Sequence, residues 1–268
     1  MSFRFHILGT SSEGNCSLLV TPRARILIDA GFTCRRIAER LDSIGERIED
    51  IDAVFLTHEH GDHCKGLAGM ARLERPVFHA NAETARAIEQ ANARRAPAGG
   101  AGFRWKIFQT GDCFEFAGIT VNAFTIPHDA ADPVGYTFTF DTGDGRSETI
   151  AWVTDLGHVP MLVRARIRNA GVLVLEANYD PALLNASSRP PSLKQRIRGR
   201  HGHLSNDATA ELLMTLENDV LRRVFLAHLS RECNTPEHVE LALAMPRALR
   251  PNCVFTVVAP DAPAPVSL

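Results

Sequence analysis

No apolar run in this sequence approaches the roughly 18 residues that a membrane-spanning helix needs. The opening segment, Met1 to Leu8, lacks the basic-then-apolar pattern of a secretory leader, so a cytoplasmic protein is expected. None of the six cysteines (Cys16, Cys34, Cys64, Cys113, Cys233, Cys253) forms a C-x-x-C pair. Without a leader they read as small buried hydrophobes rather than as a disulfide framework. There is no excess of basic charge either. Lys+Arg is 29 and Asp+Glu is 31, a balance of 29 − 31 = −2, which excludes a strongly basic nucleic-acid coat but not a local basic groove. No low-complexity linker divides the chain, and no short-period repeat is visible.

What is present is an ordinary globular composition, 45% hydrophobic and 22% charged over 268 residues, able to bury a core without covalent staples. Short apolar runs between turn residues predict strands over Phe3 to Leu8, Ser17 to Val20, Arg25 to Asp29, Ala53 to Leu56 and Pro76 to His79. The second half adds Arg104 to Phe108, Cys113 to Phe116, Ile119 to Ile126, Val134 to Phe140, Thr149 to Val153, Val172 to Glu176, Arg223 to Ala227 and Cys253 to Val258. Helical spacing appears over Thr33 to Ile44, Lys65 to Leu73, Pro160 to Asn169 and Asp207 to Val220. Asn81 and Thr235 stand as N-caps, with Pro236 at the first helical position. Gly9 to Asn15 reads as a turn, Arg94 to Gly102 as a loop and Ala182 to His203 as irregular and basic. The pattern predicts an α+β fold of two sheets face to face with helices outside, in one domain over 1–258. A loose tail with three prolines follows over 259–268.

Eleven histidines are the informative feature. Thr57-His58-Glu59-His60-Gly61-Asp62-His63 has the form H-x-H-x-D-H directly after an apolar strand. In extended backbone His58 and His60 point to one side, whereas the adjacent Asp62 and His63 diverge, so one loop can serve two nearby cations. A polar loop with coincidental histidines is the plain alternative, but three neighbouring imidazoles without a metal would repel on protonation. Further donors stand at the ends of apolar runs: His128 after Ile126-Pro127, Asp155 after Val153-Thr154, and His228 after Leu226-Ala227. Each alone reads more naturally as a loop residue. Together they give five imidazoles and two carboxylates, the inventory of a two-metal hydrolytic site. Nitrogen and oxygen donors without thiolate suit zinc, manganese or iron and do not choose among them.

These residues resemble the metallo-β-lactamase superfamily and, within it, the YycJ/WalJ family of exonucleases. The resemblance runs from Leu8-Gly9-Thr10-Ser11-Ser12-Glu13-Gly14-Asn15 through the H-x-H-x-D-H motif, His128-Asp129-Ala130-Ala131 and Val153-Thr154-Asp155-Leu156-Gly157. It continues in Glu176-Ala177-Asn178-Tyr179-Asp180, Ser192 to Ile197, Gly202-His203-Leu204-Ser205-Asn206 and Leu226-Ala227-His228-Leu229-Ser230. It implies an αββα sandwich, with His58, His60 and His128 on one metal, Asp62, His63 and His228 on the other, and Asp155 bridging. It also implies a 5′→3′ DNA exonuclease. Two departures are visible: Ser11 replaces a usual glycine, and Tyr179 replaces a common histidine.

Two divalent ions about 3.5–4 Å apart make a nucleophile from water near neutral pH and polarise the phosphoryl oxygen. Asp62 is a candidate to accept that water's proton, and His203 to protonate the leaving oxygen; a surface residue at a helix entry is the other reading of His203. Pro181 to Asn206 contains no acid but carries Arg189, Lys194, Arg196, Arg198 and Arg200, a patch suited to a phosphate backbone or a merely solvated loop. Lys194, Arg196 and Arg198 are its phosphate-binding candidates. Ser205 and Asn206 are further candidates for phosphate, or caps of the next helix. Asn15, in a glycine-containing turn, is a weaker candidate. DNA is thus the expected partner and no membrane is. The rival readings are a hydrolase of a small phosphodiester, thioester or lactam, and a non-catalytic metal or redox sensor.

Overall fold

The computed structural model describes residues 3–95, 102–143, 145–260 and 264–267. The chain forms two compact units. Unit 1 comprises Met1–Asp112, Ala130–Val134 and Asp261–Leu268, and unit 2 comprises Cys113–Asp129 and Gly135–Pro260. No helix among the described residues is long and apolar enough to cross a membrane.

In unit 1 the elements are β1 (Arg4–Ser11), β2 (Gly14–Val20), β3 (Arg25–Ile28), α1 (Cys34–Asp42), β4 (Ala53–Phe55), α2 (Gly61–Cys64), α3 (Leu67–Met70), β5 (Val77–Asn81), α4 (Ala82–Arg95) and β6 (Trp105–Phe108). Unit 2 holds β7 (Cys113–Phe116), β8 (Ile119–Thr125), β9 (Val134–Asp141), β10 (Ser147–Val153), α5 (Met161–Ile167), β11 (Val172–Glu176), α6 (Pro181–Ala186), α7 (Pro191–Arg198), α8 (Asn206–Thr215), β12 (Arg223–Ala227), α9 (Pro236–Ala242), α10 (Ala244–Leu249) and β13 (Val254–Val257). A last strand, β14 (Ala264–Ser267), returns to unit 1.

Each unit is built on one seven-stranded mixed sheet, in the orders β14-β1-β2-β3-β4-β5-β6 and β13-β12-β11-β10-β9-β8-β7. Strands β3 to β6 run parallel, as do β10 to β13. A parallel run aligns the carboxyl ends of its strands on one edge, where polar residues can converge. Both faces of such strands are covered, which is why Val172–Glu176 reads as one continuous buried run.

In unit 1, Leu18, Leu27 and Val54 from the sheet pack with Ile37 and Leu41 of α1 and with Ile88 of α4. The i, i+4 pair Ile37 and Leu41 is fully buried, worth roughly 1.5–3 kcal/mol per side chain. Thr33 caps α1 by accepting from the Arg36 amide. In unit 2, Val153, Leu175 and Leu226 pack with Val163 and Ile167 of α5, Leu212 and Leu213 of α8, and Val239 of α9.

Several expectations need correction. Gly9 to Asn15 is strand for most of its length, with only Ser12 and Glu13 turning between β1 and β2. Glycine is required at 14 because a Cβ there would lie 2.5 Å from the Phe32 ring. Ala182 to His203 is not irregular: it carries α6 and α7, each opened by a proline at its first turn. Within the segment read as a loose tail, Ala264–Ser267 pairs antiparallel with β1. Of the expected loop Arg94 to Gly102, Arg94 and Arg95 close α4, and 96–101 lie outside the described residues. The caps hold: Asn81 Oδ1 accepts from the Thr84 amide at 2.9 Å, and Thr235 from the His238 amide.

Candidate metal centre

In unit 1 the motif leaves β4 in extended backbone, and α2 then turns Asp62 and His63 within a single helical turn. The rings of His58 and His60 lie 4.6 Å apart, and those of His58 and His63 4.1 Å apart. The three rings are thus crowded on one short segment. Their orientation is imposed from behind. His63 Nδ1 is 2.8 Å from Asp29 Oδ2, in a pair with both side chains fully buried. The Thr57 hydroxyl donates to the same carboxylate at 3.0 Å and lies 3.0 Å from His58 Nδ1, so it accepts there. The Thr57 amide adds a 2.9 Å bond to Asp29 Oδ1. Burial pushes the Asp29 carboxyl above the usual range despite His63 and Thr57, which pull it down. His63 Nε2, the other ring nitrogen, lies 3.5 Å from Asp62 Oδ2.

Unit 2 gathers its donors around Asp155. One carboxylate oxygen, Oδ1, lies 3.2 Å from His228 Nε2, 3.9 Å from His128 Nε2 and 3.8 Å from His203 Nδ1. His128 Nδ1 donates to the Gly202 carbonyl at 3.1 Å, which assigns the proton to that nitrogen. Glu176, fully buried at the end of β11, accepts from His203 Nδ1 at 2.8 Å and from His228 Nδ1 at 2.9 Å through the same oxygen. Its other oxygen accepts from the Leu156 and Leu204 amides, each at 3.0 Å. Burial works against this carboxylate, but the two histidines hold it well below the usual range. For His203 burial works downward, and the Glu176 carboxylate with Asp155 outweighs it, so its imidazolium is favoured. Ligand atoms of Asp155, Glu176, His203 and His228 lie within 4.8 Å of one another.

Asp29, Asp155 and His228 share a further property. Each directly follows, or follows within two residues, a buried parallel strand, and each has a left-handed backbone, with φ of 60°, 61° and 58°. Such a conformation costs a residue with a Cβ roughly 1–2 kcal/mol, and it is retained where the side chain must be aimed.

The remaining candidates are placed differently. Asn15 is fully buried, accepting from Thr10 Oγ1 at 2.8 Å and donating to the Ser11 carbonyl at 3.0 Å, with its amide nitrogen 3.1 Å from His63 Nε2. Lys194 Nζ donates to the Asn185 and Ser187 carbonyls, both at 2.7 Å. Arg196 pairs with Asp129, and Arg198 donates to Asn185. Ser205 caps α8 by accepting from the Ala208 amide at 3.1 Å. Asn206 exchanges two 2.9 Å bonds with Asn234. Tyr179 packs with Leu184, Ile197 and Cys233.

Sequence reasoning passed over Asp29, Thr57 and Glu176 as site residues. The signal existed: Asp29 follows Ile26-Leu27-Ile28 and Glu176 closes Val172 to Leu175, the same strand-end placement that singled out Asp155 and His228.

A family model described as a beta-lactamase superfamily domain matches residues 24–229. Exodeoxyribonuclease WalJ of Streptococcus pneumoniae serotype 2 is 32% identical over 243 residues, covering 91% of this chain and 87% of that protein. Exodeoxyribonuclease YycJ of Bacillus anthracis is 31% identical over 244 residues, covering 91% and 89%. Among solved structures, the metallo-beta-lactamase fold protein YhfI of Bacillus subtilis superposes with a TM-score of 0.70 over 99% of this chain and all of that one, at 12% identity, a likeness of fold. His/Asp clusters at the strand ends of both units, on this fold, make a divalent-metal protein, and the chain belongs to the metallo-β-lactamase superfamily and, within it, to the WalJ/YycJ exodeoxyribonuclease family.

Proposed function

We propose that this protein is a metal-dependent phosphodiester hydrolase, a DNA exonuclease working 5′→3′. The observation that carries the reading is the orientation of the imidazoles. His58, His63, His128 and His228 each have Nδ1 engaged, by Thr57, Asp29, the Gly202 carbonyl and Glu176 respectively. Engaged Nδ1 atoms leave Nε2 as the coordinating nitrogen, and a carboxylate or carbonyl behind the ring raises its basicity. The donor set therefore fits divalent ions of the zinc, manganese or iron type. His58, His60 and His128 would hold one ion, Asp62, His63 and His228 a second, and Asp155 both. When bound, such ions lower the pKa of water at the site and polarise the phosphoryl oxygen.

The chain's own residues supply the proton transfers. Asp62, part-exposed beside His63, accepts the proton of the attacking water. His203, kept protonated by Glu176, gives a proton to the departing 3′ oxygen. Glu176 touches no substrate in this scheme; it is a positioning residue for His203 and His228.

One observation favours the small-substrate alternative: Lys194, Arg196 and Arg198 are all engaged within unit 2, so the basic stretch is less available to a backbone than its sequence suggests. Digestion of end-labelled single- and double-stranded DNA with added Mn²⁺, Zn²⁺ or Fe²⁺ separates the readings. Stepwise release of mononucleotides from the 5′ end is expected. Intact DNA beside a hydrolysed chromogenic phosphodiester would overturn the nuclease in favour of the small-substrate hydrolase.

A further inference from the structure

Two neighbouring helices of unit 2 carry opposite and unmixed charge. Residues 160–170, which include α5, hold Arg164, Arg166 and Arg168 and no acid. Residues 206–221, which include α8, hold Asp207, Glu211, Glu217 and Asp219 and no base. A groove of about 430 Å³ lies between them, with Arg164 and Arg168 on one wall and Glu211 and Glu217 on the other. Opposite charges this close on one surface would ordinarily pair, as Arg189 does with Glu232 at 3.0 Å and Arg247 with Glu240 at 2.8 Å elsewhere in the unit. Across this groove they do not. Arg164 donates to the Thr215 hydroxyl at 2.9 Å, and among the described residues the side chains of Arg168, Glu211 and Glu217 have no ion-pair partner.

Apolar side chains stand on the same two helices. Met161 lines the groove and is 79% exposed, and Leu162 of α5 and Met214 of α8 are exposed as well. Methionine and arginine are enriched where proteins meet, and exposed apolar side chains bordered by charge are the anatomy of a contact surface.

We infer that this face is an interface between two copies of the chain, related by a twofold axis lying along the groove. Such an axis sets the α5 wall of each copy on the α8 wall of the other, so both rows of arginines meet glutamates and every pairing occurs twice. An axis across the groove would put arginine on arginine, which excludes it. The exposed Met161 of each copy then has the other copy's groove to enter, where its apolar surface leaves water. The contact is small. Helix α8 has ten residues, about 15 Å of helix, so the interface belongs to the weak class, with a dissociation constant on the order of 1–100 μM. The charges set its orientation and salt dependence more than its strength.

This pairing does not depend on the substrate, but it does orient the site. Strands β10 to β12 are parallel, so α5 and α8, which each return the chain to the start of the next strand, run the same way. An axis along them preserves that direction. The strand ends that lead into Asp155 and His228 therefore face the same side in both copies.

Sedimentation velocity on the full chain, from about 1 to about 300 μM, brackets the expected constant. The wild type should pass reversibly from monomer to dimer, and should need a higher concentration in about 0.5 M salt than in about 0.05 M, where the charges are less screened. R164E/R168E makes both walls acidic and E211R/E217R makes both basic, so each variant alone should associate at least ~10-fold more weakly. Mixed in equal amounts, the two should form a heterodimer at least as readily as the wild type, because acidic walls then meet only basic ones. The single changes R168E and E217R, at exposed side chains, should act in the same directions by a smaller factor, alone and mixed, and they decide the matter if a double variant does not fold. A wild type that stays monomeric up to about 300 μM, a dimer that ignores the reversals, or a mixture no tighter than its components overturns the twofold pairing. Weakened DNA binding by R164E/R168E with no change in its association would assign the arginines to nucleic acid and overturn the pairing as well.

Discussion

Glu176 Oε1 accepts from His203 Nδ1 at 2.8 Å and from His228 Nδ1 at 2.9 Å, so one oxygen atom orients two imidazoles with different proposed tasks. One of them is a metal-ligand candidate and the other a proton donor. The oxygen can serve both because Glu176 is anchored by two backbone amides through its other oxygen.

Glu176→Gln keeps the shape but halves the acceptor capacity and removes the charge. Affinity for divalent ions should fall by about 10–100-fold, measured by competition with a chelator of known strength. Turnover at saturating metal should fall further, since His203 loses the charge that keeps it protonated. Unchanged metal affinity would mean that Glu176 does not orient a ligand.

Asp155 separates metal binding from backbone strain. Asp155→Asn tolerates the left-handed backbone and should keep the melting temperature of the metal-free protein, while metal content drops by at least one ion per chain. Asp155→Ala should lose metal equally and also lower the metal-free melting temperature by about 2–4 °C, since alanine fits that backbone poorly. Full occupancy in both variants would remove Asp155 from the ligand set.

His203→Ala should retain its metals and lower DNA turnover by ~10²–10⁴-fold. With a leaving group that needs no proton, such as a nitrophenolate, the loss should be far smaller. An equal loss on both substrates would assign His203 to packing rather than to proton transfer.

Arg196→Ala with Arg198→Ala tests the basic stretch. If these side chains leave Asp129 and Asn185 for phosphates when DNA binds, the plot of log affinity against log salt should flatten by roughly 1 for each lost contact. An unchanged slope would leave them as struts within unit 2.

His79 makes the fold acid-sensitive away from the metal residues. It is 4% exposed, stacked on Phe55 with ring centroids 4.3 Å apart, and burial with nearby Lys106 lowers its pKa to about 4 from 6.5. The unfolded chain therefore takes up this proton first as pH falls. The stability contributed is full above pH 6.5 and drains away as pH drops towards about 4, amounting to about 2 kcal/mol by pH 5. His79→Phe keeps the stack without the titration, so its urea midpoint should change less than the wild type's between pH 7.5 and pH 5. Parallel shifts in the two proteins would clear His79 of the effect.

Much of this was legible beforehand, for a physical reason. Buried parallel strands announce themselves as apolar runs, and a polar residue ending such a run is placed at the edge where ligands gather, as Asp155 and His228 are. Asp29 and Glu176 obey the same rule but stand outside any motif, because each orients imidazoles from behind and is held by neighbouring backbone or hydroxyl donors that only the folded chain brings to it. The region from Ala182 to His203 reads as irregular and basic in the sequence but folds as α6 and α7, the second opening at Pro190-Pro191. Proline at a first helical turn starts a helix as readily as it ends one, and α7 begins there. Lys194 looked like a phosphate ligand by charge alone, and only the folded chain brings the Asn185 and Ser187 carbonyls to its ammonium.

Because the donors hang just past the strands, the strands act as rulers. Strand β12 is five residues long and meets β11 in unbroken register from Val172 opposite Arg223 to Glu176 opposite Ala227. Deleting one residue inside it would draw His228 back by about 3.3 Å or turn every preceding side chain to the opposite face. Extra residues in the connection from α8 to β12 would cost little more than loop closure. Length variation in this protein should therefore collect before the strands and be absent within them, a constraint on insertions and deletions that no single substitution would reveal.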